Sequence, residues 1–175
     1  GGLRRGGGLV ASVTAGDVAW AGIMACGHAK FTGEVGIGLA TSGPGAIHRL
    51  NGLYDAKMDH QPVVAIIGQQ ARACLGGSYQ QEVDLISLFK DVAHEYVHMA
   101  TNAAQVRHLI DRAFRIARST RSVTCLIFPT DVHPRAAQEV PPRAHGTVHS
   151  DTAYCTPRLI PNPRHLHHAA YVVDS

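Results

Sequence analysis

The stretch with the clearest chemical potential is Thr41-Ser42-Gly43-Pro44-Gly45. It closes an apolar, glycine-containing run, 35–41, and leads into residues with Ile47, Leu50 and Tyr54 at helical spacing. A strand that ends in Gly-Pro-Gly and passes at once into a helix puts backbone N–H groups at the carboxyl edge of a sheet, where open parallel sheets bind ligands. The glycines let a ring or a phosphate approach the main chain closely. Taken alone, the pattern fits a purely structural turn equally well. Twelve histidines raise the question of metal binding, above all His165, His167 and His168. No carboxylate or thiolate partner is evident beside them, so solvated surface imidazoles are expected and no metal site is assigned. His94 and His98 fall in a stretch read as strand, which points both to one face instead of making a helical ligand pair. Cys26, Cys74, Cys125 and Cys155 form no Cys-x-x-Cys motif and are expected to be buried free thiols. Nothing in the local spacing favours a Cys–His nucleophile pair.

The elements that must position the turn are read from periodicity. Good helix formers run from Asp17, a candidate N-cap, to Phe31, and Thr32-Gly33 should end that helix. A helix is expected from about Ala46 to Met58. The run 63–68 reads as a two-sided buried strand. A short helix over 83–89, a strand over 93–99, a helix over 102–118 and a strand over 122–128 follow. Strands alternating with helices imply βαβ units, hence an α/β fold with a parallel sheet flanked by helices. Beyond Thr130 the prolines mark an extended linker, and Leu166–Val173 can begin one more helix. The expected organisation is an N-terminal segment 1–16 without clear period, a domain over 17–130, a Pro-rich linker over 131–163 and the start of a further domain over 164–175.

Composition narrows the function classes. With 45% apolar and 17% charged residues in 175, the chain can bury a core and is not of the disordered class. A formal net charge of +3, scattered along the sequence, is too small for a nucleic-acid surface. No apolar run approaches the length of a membrane span, and the N-terminus lacks the apolar core of a signal peptide, so a cytoplasmic location is expected.

Taken together, Ala40–Ala46, then Asn51-Gly52-Leu53-Tyr54-Asp55-Ala56-Lys57, then Asp59-His60-Gln61-Pro62-Val63 closely resemble the pyrimidine-binding domain of the thiamine-diphosphate enzymes. Gln81-Glu82-Val83-Asp84 and Phe89-Lys90-Asp91 continue the likeness in the same order, so that it covers about residues 20–130. Pyruvate oxidase and the quinone-linked pyruvate dehydrogenase look most similar, then acetolactate synthase. The resemblance implies that Thr41, Ser42, Gly43, Pro44 and Gly45 face the aminopyrimidine of thiamine diphosphate. Gln81 is implied as a polar contact near the reacting centre, with a plain loop role open beside it. A second domain would bind the diphosphate through Mg²⁺, a middle domain would bind FAD, and the site would form between subunits. The partners implied are a homo-oligomer or a full-length paralogue, with a 2-oxo acid such as pyruvate as substrate.

The resemblance also has departures. Its members carry an activating glutamate at a fixed interval before the motif matching His28–Gly33, and counting back places that position at Val18. Valine has no hydrogen-bonding side chain. Asp17 is one residue off and shorter. At Gln80 an aromatic residue is more usual. The family's first strand, cofactor loop and first helix would precede residue 17, so the domain is expected to be N-terminally incomplete, from a frameshift, a mis-called start or a degraded gene. No Gly-Asp-Gly…Asn-Asn magnesium motif occurs, so neither Mg²⁺ nor FAD is assigned to residues of this chain. Independent catalysis is therefore not expected, and a non-catalytic interaction module or a non-functional fragment stands as the alternative.

Overall fold

A computed structural model describes residues 13–136, 154–155 and 160–175. Most of the segment 1–16 and of the linker 131–163 lies outside these residues. Helix α1 spans Val18–Thr32. It starts where the Asp17 carboxylate accepts from the Ala19 N–H at 2.7 Å, and it stops at Gly33, whose φ of 74° lets its N–H return to the Ala29 carbonyl. Strand β1 (Gly36–Ala40), helix α2 (Pro44–Met58) and strand β2 (Val63–Gln69) follow. Helix α3 (Leu85–Phe89), strand β3 (Val97–Met99), helix α4 (Val106–Thr120) and strand β4 (Val123–Pro129) complete the sheet layers. Helix α5 (Pro163–Asp174) buries none of its residues.

The fold is α/β, as its alternation of elements predicts. All four strands are parallel, in the order β1-β2-β4-β3. Val63, Ala65 and Ile67 turn one way into a core with Ala25, Ala29, Leu53, Ala56, Leu85 and Phe89, so α1, α2 and α3 cover one face. Val64 and Leu126 turn the other way onto Leu109, Ala113 and Ala117 of α4. Edge strand β1 is covered unequally: Gly36 and Gly38 are buried, whereas Ile37 and Leu39 are about half exposed.

Three helix–helix contacts fix α1 against α2. Gly22 meets Gly52, Cys26 meets Asp55, and Lys30 reaches Asp55 and Asp59, so the two helices run parallel. A Cβ on Gly52 would stand 2.4 Å from the Gly22 carbonyl carbon, and one on Gly36 2.1 Å from the Ala25 oxygen. Only glycine fits where backbone meets backbone at that range.

Several boundaries differ from expectation for local reasons. Pro44 occupies the first turn of α2, where its missing N–H costs nothing, so the helix begins ahead of Ala46. The strand expected over 93–99 shrinks to Val97–Met99, because Ala93 and Tyr96 are taken up by turns closing on Phe89 and Ala93. His94 therefore lies in a turn and shares no strand face with His98, whose ring stacks on Tyr96. The helix expected from Asn102 opens with a 3-10 turn, Ala103–Gln105, held by a reciprocal Asn102–Gln105 capping box. Of the four thiols, Cys26 and Cys125 are buried, Cys74 is half-buried and Cys155 is exposed. Among the described residues, no helix is long and apolar enough to cross a membrane, and no group of three metal-ligating side chains converges.

The close crossing makes Gly52→Ala a sensitive probe. The added methyl meets backbone, so the variant should lose roughly 1–3 kcal/mol, the usual range for overpacking, as a lower midpoint in urea unfolding. An unchanged midpoint would mean that α1 and α2 are further apart.

Candidate functional site

The carboxyl ends of β1 and β2 are where the polar candidates collect. The turn 41–45 leaves β1 and opens α2 with Gly43 in the N-cap position, at φ 59° and ψ −119°, and no side chain caps the helix. Pro44 has no N–H to offer, so the uncapped donors of the first turn belong to Gly45 and Ala46. Ser42 is buried, and its hydroxyl accepts from Gln70 Nε2 at 3.2 Å. Thr41 lies against Gly45 so closely that a Cβ there would be 2.6 Å from the Thr41 methyl carbon.

The loop after β2 folds back over this turn. A Cβ on Gly43 would lie 2.8 Å from Gln81 Cβ and 2.9 Å from the Gln81 carbonyl oxygen. The structure thus brings together Gln81 and the glycine turn, which are 38 positions apart in the chain and were read from separate motifs. Gln81 itself is exposed and holds φ at 62°, an uncommon value for a residue with a side chain. One buried side-chain amide not singled out from sequence holds the loop: Gln69 Nε2 donates to the Val83 carbonyl at 2.9 Å, and its Oε1 accepts from the Gln70 N–H at 2.8 Å. Glu82 accepts from the Gly76 and Tyr79 N–H groups, and those bonds hold its carboxyl below the ordinary range. Arg72 then ties the same loop to the segment after β4. Its Nε meets Asp131 at 2.8 Å, its backbone N–H donates to Asp131 at 3.0 Å, and its Nη1 donates to the Thr101 carbonyl. The signal for Gln69 and Gln70 was a polar pair at the end of an apolar run.

Position 18 reaches the same end of the sheet through Arg49. This arginine is fully buried on α2, with Nη1 donating to the Val18 carbonyl at 3.3 Å and Nη2 to the Leu39 carbonyl at 2.7 Å. Among the described residues its Nε finds no partner, and burial holds its pKa below the ordinary value. The Val18 side chain is half-buried and apolar, so the position supplies a carbonyl and no titratable group. Asp17 spends its carboxylate on capping α1. Burial, followed by a hydrogen bond to Asp55, pushes Cys26 up to about 11, so this thiol is a neutral core group near pH 7. His165, His167 and His168 are exposed on α5. A separate cleft of about 250 Å³ lies beside Glu34 and Val35, which precede β1, and is lined by Tyr154, whose ring lies under Arg115 and Arg118. It sits at the amino end of the sheet, away from the glycine turn.

As chemistry, the carboxyl end offers uncapped helix donors, a buried hydroxyl and amides, and backbone that a flat ring can approach. Among known proteins, residues 10–88 match the family described as thiamine pyrophosphate enzyme, N-terminal TPP binding domain. The match opens within the segment set apart as 1–16 and ends in α3. The chain is 35% identical over 157 residues to a putative thiamine pyrophosphate-containing protein, YdaP, of Bacillus subtilis, covering 89% of this chain and 26% of that protein. It is 38% identical to pyruvate oxidase of Lactiplantibacillus plantarum over 81% of this chain and 22% of the relative. For acetolactate synthase of Mycobacterium avium the identity is 38%, over 71% of this chain and 20% of the relative. The chain therefore spans about a quarter of the length of the curated relatives it matches.

Two measurements test the site's framework. Arg49→Met keeps the volume and removes a buried charge, so its unfolding midpoint should hold or rise, whereas Arg49→Ala should cost roughly 2–5 kcal/mol through the cavity it leaves. A loss for Arg49→Met as large as that for Arg49→Ala would show that the charge itself is needed. Asp131 is held below its ordinary pKa, first by the Arg72 N–H and then by the guanidinium. A depressed carboxylate contributes stability above its unfolded pKa and loses it as pH falls through the lower folded value. The loop 70–84 should therefore gain hydrogen exchange as pH drops below about 4, and Asp131→Asn should exchange fast already at neutral pH. Equal exchange in both proteins at pH 7 would separate Asp131 from loop order.

Proposed function

The chain belongs to the thiamine pyrophosphate enzyme family, in its N-terminal TPP binding domain, and from that premise we propose that it receives the pyrimidine end of thiamine diphosphate at the turn 41–45 without completing an active site alone. The observation that carries this reading is the packing of Gln81 onto Gly43 at the uncapped start of α2. A side chain at position 43 would collide with Gln81 and push its loop off the turn, and no side chain caps the N–H groups of Gly45 and Ala46.

The residues present fit holding the cofactor better than activating it. Thr41, Ser42, Gly43, Pro44, Gly45 and Gln81 would form the wall and rim of the pyrimidine site. When bound, the cofactor supplies a nucleophilic carbon and an electron sink for carbanions. Val18 can neither give nor take a proton, and the Asp17 carboxylate is committed to its helix cap, so no proton step is assigned to this chain. Magnesium, FAD, a 2-oxo acid such as pyruvate, and an oligomer made with itself or with a full-length paralogue belong to this proposal through the relatives.

A second reading is favoured by Val18: a non-catalytic module, or a non-functional fragment, that keeps the fold and pairs with a full-length relative. The two are separated by titrating thiamine diphosphate into the purified chain in a calorimeter and assaying release of carbon dioxide from pyruvate. The expected outcome is weak or undetectable binding by the chain alone, with no turnover. Tight one-to-one binding, or cofactor-dependent turnover, would overturn the proposed incompetence. Gly43→Val, which places a branched side chain against Gln81, should abolish whatever binding the chain shows.

A further inference from the structure

The cleft at the amino end of the sheet carries charges that the fold does not use. Its floor is apolar: Val35, just ahead of β1, and Phe114 of α4 both pack against the core between α4 and the sheet. Asp111, Phe114, Arg115 and Arg118 recur three and four apart on α4 and so line the cleft as one stripe. Arg115 is committed to Asp111, with Nε 2.9 Å from Oδ2. That leaves Glu34 and Arg118, both exposed, on the walls of one cleft. Among the described residues neither of them is in an ion pair. Tyr154 lines the cleft as well, with the Arg115 and Arg118 guanidinia 5.5 and 5.7 Å from its ring centroid. Its hydroxyl is buried and, among the described residues, has no hydrogen-bond partner. A buried donor left unmatched costs stability until something supplies an acceptor.

We propose that this cleft binds a small zwitterion, an α-amino acid with an apolar side chain, at a site separate from the turn 41–45. The ligand carboxylate pairs with the forked donors of Arg118 and accepts from the Tyr154 hydroxyl. Its ammonium faces Glu34, and its side chain rests on Val35 and Phe114. Each charged end of the ligand then meets the opposite sign. A plain carboxylate would satisfy Arg118 and stand beside the like charge of Glu34, and a plain amine would meet the reverse conflict. The charged side chains of the lining are Glu34 and Asp111 against Arg115 and Arg118, which sum to zero. A ligand of zero net charge therefore enters with nothing left unbalanced.

The size agrees. A volume of about 250 Å³ falls just under the ~300–1,000 Å³ of pockets for drug-sized ligands, which suits a molecule of this class. An ordinary surface role covers only part of the arrangement. The last turn of a helix favours a cation, so Arg118 by itself requires no ligand. That does not account for Glu34 lining the same cleft, nor for an enclosed hydroxyl with no acceptor. The cleft lies at the other end of the strands from Gly43 and Gln81, so the proposal does not depend on the cofactor reading.

The test is a titration of the full chain with L-phenylalanine, followed by calorimetry and by the amide shifts of isotope-labelled protein. The expected result is saturable binding with a Kd of about 1 mM or below, and shifts that move at Val35 and Phe114 but not at Gly43 or Gln81. Hydrocinnamate, which lacks the ammonium, and phenethylamine, which lacks the carboxylate, should each bind at least about tenfold more weakly. Arg118→Gln and Glu34→Gln should each weaken L-phenylalanine by a similar factor, and both positions are exposed, so the fold stands in either variant. Tyr154→Phe keeps the ring under the guanidinia and removes the unmatched hydroxyl. It should weaken binding severalfold while the thermal midpoint of the free chain holds or rises. No binding, equal binding of either half-ligand, indifference to Arg118→Gln or Glu34→Gln, or a falling midpoint for Tyr154→Phe would each overturn the proposal.

Discussion

The contact on which the rest of the structure depends is the approach of α1 to α2 and β1 through Gly22, Gly52 and Gly36. Backbone meets backbone there with no room for a methyl group. Dispersion and burial fall off steeply with distance, so the small apolar side chains Ala25, Ala29 and Ala56 can form a core only if the helices come this close. The same approach sets the direction of α1: parallel to α2, with its first residues at the carboxyl end of β1. Every feature of the candidate site at position 18 follows from that direction. Moving α1 outward would separate position 18 from the glycine turn and expose the alanine seam at once.

Arg49 is the consequence of that packing that runs against ordinary burial rules. A guanidinium without a carboxylate partner is costly inside a protein, yet here it is fully enclosed. The gap that admits it is made by Gly38 and Gly22, which have no side chains to fill the space. Its Nη2 serves the Leu39 carbonyl, and its Nη1 adds a second donor to the Val18 carbonyl. Leu39, whose alternate neighbours in β1 turn their main chain to β2, points its carbonyl to the open edge, and Val18 lies in the first turn of α1. The arginine therefore joins helix start to strand end by main-chain contacts alone. That joint fixes the backbone of position 18 whatever its side chain.

How much of this could be read from the residues depends on whether the cause was local. The Gly-Pro-Gly turn, the Asp17 cap and the alternation of strands and helices are local, and the structure has them where sequence places them. Gln81 was legible only through the order of motifs, and its contact with Gly43 depends on a loop fold-back that no short pattern encodes. The strand over 93–99 was over-read because Ala93 and Tyr96 look apolar, while their N–H groups are committed to turns. Arg49 was invisible for the opposite reason. An arginine in an amphipathic helix reads as surface, and only glycines 11 and 27 positions away make space for it.

The start of α2 shows how the fold keeps a helix end uncapped at small cost. A serine, threonine or aspartate in the N-cap position would accept from the first-turn N–H groups and close the end of the helix to anything else. Gly43 cannot do so, and relative to those residues a glycine cap sacrifices only a few tenths of a kcal/mol. Pro44 then removes one donor and pre-sets the backbone angle of the first turn, which recovers part of that loss. Ser42, one residue earlier, has its hydroxyl engaged by Gln70 and so does not swing round to cap the helix instead. Gln81 covers the turn from outside without bonding to its N–H groups. The result is a helix N-terminus held in place by its neighbours and left open in its polar chemistry.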